Sequence, residues 1–134
     1  MALYSKVNFP LRLEFITTTA TGDGKEVIYV PFNCTIHSVQ MTLATTGASS
    51  GNTDVTVYYT KPTGGVSTTG DLWTVATGVG RIAYNGTQYL RWLAASCAYT
   101  KLEAGGTLSL NIDAVAGTEG TNLAVTIWVY PVDD

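Results

Sequence analysis

Few residues in this 134-residue chain are of the types that acid–base, nucleophilic or metal chemistry needs. His37 is the single histidine. One histidine cannot build a histidine-based metal site, and a triad needs Ser or Cys plus an orienting acid beside it. His37 therefore reads as a partly buried strand residue with a backbone partner, on the same parity as Val39 and Met41. Cys34 and Cys97 have no CxxC partner and no metal-ligand spacing. Distant thiols in a chain without an export signal are expected reduced and unbridged, and nothing near them in sequence supplies the electropositive setting of a nucleophile. The acids are Glu14, Asp23, Glu26, Asp54, Asp71, Glu103, Asp113, Glu119, Asp133 and Asp134, mostly in turns or at strand ends. Glycoside hydrolysis needs two carboxyls held about 5–9 Å apart across the bond. Asp113 and Glu119 are the nearest approach to such a pair, and nothing in the sequence fixes their geometry. No DxDxDG-type spacing marks a calcium loop. Gly64-Gly65 and Gly78-Val79-Gly80 lead into neither GK[ST] nor a GxGxxG before a helix, so they are turn glycines. The expectation is a protein that is not an enzyme and holds no cofactor or metal.

Composition narrows the class further. A chain of this length fits one domain with one two-layer core. Hydrophobic residues make up 46% and charged residues 13%, about half the globular average for charge. So little charge gives weak electrostatic protection against association, which suits a surface that lies against other protein. The net charge is −3, and Lys6, Arg12, Lys25, Lys61, Arg81, Arg91 and Lys101 form no run or stripe. Direct nucleic-acid binding, which needs a basic patch, is therefore not expected. No apolar run approaches the roughly 20 residues of a membrane span. The N-terminus lacks the basic head and apolar stretch of a secretory signal, so synthesis and assembly in a cytoplasm are expected, and the sequons at Asn33 and Asn85 carry no meaning.

The elements that must position these side chains are strands. Residues 107–115 alternate Leu108, Leu110, Ile112 and Ala114 with Ser109, Asn111 and Asp113. Residues 123–130 alternate Leu123, Val125, Ile127 and Val129 with Ala124, Thr126 and Trp128. Period-two alternation of this length is a strong strand signal, and the two runs, joined by 116–121, read as an antiparallel pair, the last hairpin of the fold. Earlier strands are expected over 11–19, 26–30, 34–45 and 53–60, with turns at 21–24 and 46–52 and a polar loop at 61–70. Asn85-Gly86 suggests a hairpin between 81–84 and 88–93, and 94–101 a connection holding one helical turn. About eight strands with turns every 8–12 residues predict an all-β, two-sheet antiparallel sandwich with jelly-roll or Greek-key topology over residues 11–134. Residues 1–10 differ. Leu3, Tyr4, Val7 and Phe9 are apolar, and Pro10 bars a central strand, so this is a short N-terminal arm. The aromatics remain. If the 123–129 odd positions face inward, Trp128 faces outward and needs a cover or a partner, for which the arm, from this chain or another, is a candidate.

The segments VPFNCTIHSVQMTLATTGASSGNTDVTVYYT and LEAGGTLSLNIDAVAGTEGTNLAVTIWVYP, about half of the chain, resemble small β-sandwich virion proteins of tailed bacteriophages, most of all head decoration proteins. The shared features are Val30-Pro31, Ile36 to Val39, Gly51-Asn52-Thr53, Ala104 to Ile112 and Leu123 to Ile127. The resemblance implies a capsid decoration (cementing) protein on the virion surface. It would bind the major capsid protein as a homotrimer and stabilise the shell by bridging subunits, with Leu3, Tyr4, Val7, Phe9 and Trp128 as partner-binding residues. The alternative is a carbohydrate- or receptor-binding module of a tail fibre.

Overall fold

Apolar residues at every second position bury one side of each long strand, and two sheets close those sides on each other. The computed structural model describes residues 10–46, 51–62, 70–84, 86–116 and 122–132. Among them the strands are β1 Leu11–Thr18, β2 Gly22–Tyr29, β3 Cys34–Leu43, β4 Asn52–Thr60, β5 Gly70–Asp71, β6 Arg81–Ala83, β7 Tyr89–Leu93, β8 Lys101–Leu102, β9 Thr107–Ala114 and β10 Asn122–Pro131. One five-stranded sheet runs β1-β10-β3-β7, with β8 also on β3; the other runs β2-β9-β4-β5, with β6 also on β4. All the pairs are antiparallel. With β5 and β6 counted as pieces of one strand, and β7 and β8 as pieces of the next, the order is 1-8-3-6 against 2-7-4-5. That is the strand order of an eight-stranded jelly roll, so the all-β sandwich expected from the sequence is the observed fold.

The core lies between the sheets. Leu13 and Phe15 of β1, Val39 and Met41 of β3, and Val125, Ile127 and Val129 of β10 meet Val55, Val57 and Tyr59 of β4 and Leu108, Leu110 and Ile112 of β9, all buried. Each such aliphatic or phenyl side chain contributes about 1.5–3 kcal/mol through burial. Leu72 and Trp73, just after β5, close the interior from the side of β4, and Trp92 of β7 meets Trp73 edge to face at 4.9 Å between centroids.

Four local expectations are corrected. β9 and β10 are not a hairpin: β9 pairs β2 and β4 in one sheet, and β10 pairs β1 and β3 in the other. Two strands that face each other across a core show the same alternation as two that pair, so periodicity cannot separate the cases. Likewise β6 pairs β4 and β7 pairs β3, so the stretch around Gly86 is a crossing rather than a hairpin turn. The glycines at 22 and 24 belong to β2, where the register with β9 shifts between Gly22 and Glu26 and Gly24 has φ 62°; turn chemistry here makes a bulge. Finally, the β3 register against β10 shifts so that Val129 faces Ile36 while Trp128 faces Ser38. The extra residue, His37, is half-buried while Val39 and Met41 are fully buried, so His37 does not share their face.

Candidate functional site

The polar side chains with chemical potential are dispersed and occupied. His37 Nδ1 lies 3.1 Å from Ser38 Oγ, and its ring meets Tyr130 edge to face at 5.4 Å. Cys34 and Cys97 are free thiols. Burial at the start of β3 pushes the Cys34 thiol up to about 12, which removes the thiolate a nucleophile needs. Burial also raises Cys97, opposed by the Trp92 indole. Asp113 accepts a hydrogen bond from the Thr56 hydroxyl at 3.3 Å; Glu119, its proposed partner, lies outside the described residues. No group of three or more His, Cys, Asp and Glu among the described residues is placed to hold a metal ion.

Two recesses mark the surface. The larger, about 610 Å³, lies at one end of the sandwich between the start of β3, β8 and the chain after β10, lined by Asn33, Cys34, Thr35, Lys101, Leu102, Glu103 and Val132. Two of its polar side chains are held within the fold: Asn33 Oδ1 accepts from the Ala104 N–H at 2.8 Å, and Glu103 pairs with Lys61 at 3.7 Å. The smaller is a groove of about 190 Å³ on the outer face of the β1 sheet, lined by Pro10, His37, Ser38, Gln40, Arg91 and Trp128. The β3 irregularity opens it, a frequent use of bulges beside binding sites.

Trp128 stands in this groove on the outward parity of β10, between Arg12 of β1 and Ser38 of β3. It is half-buried rather than bare. Its Nε1 is buried and has no acceptor among the described residues. Pro10, the last residue of the expected arm, lines the same groove, so the chain enters the sandwich beside Trp128. Leu3, Tyr4, Val7 and Phe9 lie outside the described residues.

One surface was not anticipated from the sequence. On the outer face of the β2 sheet, Val27, Tyr29 and Tyr58 are exposed by 54%, 73% and 38%. Register sets Val27, Ser109, Tyr58 and Asp71 in one row across β2, β9, β4 and β5, with Tyr29, Thr107 and Thr60 in the next. The available signal was the run Val27-Ile28-Tyr29-Val30, apolar on both parities in a strand with one buried face.

No family model matches this sequence, and no curated protein matches it either. Among solved structures, a chain of the capsid of Ralstonia phage GP4 is similar in fold, with a TM-score of 0.59 and 16% sequence identity. The alignment covers 95% of this chain and 87% of that one.

Proposed function

We propose that this chain is a structural protein of a bacteriophage virion, specifically a head decoration protein that binds the outside of the shell and bridges capsid subunits as a homotrimer. The observation that carries the reading is the fold-level likeness to a phage-capsid chain along nearly the whole length of both chains. The coverage makes that chain only slightly longer than this one, which suits an accessory subunit better than a shell-forming one. The low charge agrees with a surface that lies against other protein. Stabilisation follows from mass action, because a protein that binds the assembled shell and not its dissociated subunits favours assembly.

The arm, through Leu3, Tyr4, Val7 and Phe9, belongs to the contact in this proposal, with Trp128 at its base where Pro10 enters the groove. Deleting residues 1–10 and measuring co-sedimentation with expanded heads tests it. Weakened binding is expected; binding at wild-type strength would remove the arm from the interface.

A further inference from the structure

A bridging protein needs more than one contact region. In the reading above the arm and Trp128 are one, with Pro10 and Trp128 on the β1-sheet side. We propose that the outer face of the β2 sheet is a second docking surface, and that its partner is a protein surface carrying lysine or arginine beside apolar side chains. This rests on the decoration reading above and names the chemistry of that partner.

The face combines contact area with an unbalanced charge. Val27 and Tyr29 stand on β2 and Tyr58 two strands away on β4, so they flank a trough about 10 Å across at the usual strand spacing. Thr107, Ser109 and Asn111 of β9 form its floor. Tyrosine offers rigid amphipathic area at small entropic cost, as protein interfaces favour. The carboxylates near the trough are Asp23, Asp54, Asp71 and Asp113, and the cations are Lys25 and Arg81. Asp54 holds Arg81 in a two-pronged pair at 2.8 and 3.0 Å. Among the described residues that leaves Asp23, Asp71 and Asp113 against Lys25. The Asp71 carboxyl is raised from its ordinary value by partial burial, then by Asp113 and by Asp23. A cationic partner relieves that repulsion while its apolar groups cover Val27, Tyr29 and Tyr58.

The outer face of the β1 sheet is a different surface. Its central row, Glu14, Thr126, Gln40 and Arg91, is polar, and Glu14 accepts from the Thr126 hydroxyl at 3.1 Å. The large exposed apolar side chains there, Ile16, Tyr89 and Leu93, lie on the two edge strands, and the half-buried Trp128 stands on β10 between them. Among the described residues Arg12, Arg91 and Lys101 outnumber Glu14 on it, so the charge complementarity to a basic partner lies on the β2 sheet.

The experiment compares variants in binding to heads of the encoding phage stripped of this protein. The surface variants Val27→Ser/Tyr29→Ser and Asp23→Lys/Asp71→Lys are each expected to weaken binding about tenfold or more, the second most at low salt. Ile16→Ser, on the other sheet and outside the row of Trp128, is expected to bind like wild type. Wild-type strength in both β2-sheet variants overturns the inference while leaving the decoration reading intact. If wild-type protein binds no heads, the decoration reading falls, and the face is read by itself. Isotope-labelled protein is titrated with a Lys-Leu-Lys-Leu peptide and, separately, with neutral oligosaccharides. Peptide-induced shifts clustered on Val27, Tyr29, Tyr58, Ser109 and Asp71 support the inference. Shifts elsewhere, or a saturable oligosaccharide response in the trough, overturn it.

Discussion

The six long strands and the stretch from Gly70 to Leu102 hold themselves together differently. β1, β3 and β10, and likewise β2, β4 and β9, form ladders with eight to ten residues to a strand, and their inward side chains are an almost unbroken apolar set. Between Gly70 and Leu102 no strand exceeds five residues and two have only two. There, side chains take over the work of the ladder. The Trp73 indole donates to Val55 O at 2.8 Å and packs against Trp92, the Arg81 guanidinium grips Asp54, and the Leu72 carbonyl accepts from the Ala98 N–H at 2.6 Å. The same jelly-roll order is thus specified by period in one region and by individual contacts in the other. Cooperativity follows: removing one core side chain from a ladder is shared by the whole sheet, whereas removing one anchor from the short strands releases them locally.

The largest effects test that difference directly. Phe15→Ala and Trp73→Ala each delete a fully buried aromatic and are expected to cost about 3–5 kcal/mol in denaturant unfolding. Native-state hydrogen exchange separates them. Phe15→Ala lowers protection across both long-stranded sheets together, while Trp73→Ala removes protection from β5 to β8 beyond its global cost. Equal loss everywhere in both variants would erase the distinction between the regions.

Gly80→Ala is the next largest. Gly80 has φ 69°, and an added Cβ would come within 2.5 Å of Trp73 Nε1 and 2.6 Å of Val55 O. The substitution strains the backbone and dislodges the indole hydrogen bond together, for an expected cost of about 2–4 kcal/mol. Gly78→Ala, with φ 85° but open space around it, carries the backbone strain alone and is expected to cost about 1 kcal/mol. Thermal unfolding of the pair separates steric from conformational cost.

The two cysteines report on the same contrast without mutation. Cys34 is buried at the head of β3, and Cys97 is half-buried after the 3-10 turn Ala94–Ser96. Alkylation at mildly basic pH is expected to reach Cys97 first, through local opening, and Cys34 only at the rate of global unfolding. Mass spectrometry of partially alkylated native protein gives the order, and prior labelling of Cys34 would contradict it.

This contrast also explains what could be read from the sequence. The long strands announce themselves because inward residues such as Leu108, Leu110 and Ile112 recur at period two, so class, sandwich architecture and the outward parity of Trp128 were legible. Pairing was not. β9 and β10 alternate in phase with a common core whether they are hydrogen-bonded neighbours or opposite walls, and only the crossing between the sheets separates the cases. The short strands carry too few residues for any period, and their anchors join residues 18 and 27 positions apart, Val55 with Trp73 and Asp54 with Arg81. The β2-sheet surface escaped notice because Val27 and Tyr29 look like core until the register places them outside. His37 was misassigned because one extra residue in β3 reverses the parity on either side of it.

The smallest effect, Asp71→Asn, sets the proposed docking surface against the stability of the fold. Asp71 is an exposed residue of β5, and its folded pKa is raised by partial burial and by Asp113 and Asp23. A carboxyl whose folded pKa lies above its unfolded value disfavours the folded state wherever it is ionised, and this cost disappears as pH falls below the carboxylate range, where both states are protonated. Asn at this position is therefore expected to stabilise the fold at neutral pH, by about 0.3 kcal/mol because the group is solvent-screened. The gain should shrink in high salt and vanish near pH 3. A site that gains folding stability on neutralisation and loses partner affinity is one where the charge is kept for binding. Chemical unfolding of Asp71→Asn and wild type at neutral and acidic pH decides the matter: a neutral or destabilising effect at pH 7 would mean that the carboxylate is already balanced within the fold, and the argument for a cationic partner at β5 would lose its electrostatic basis.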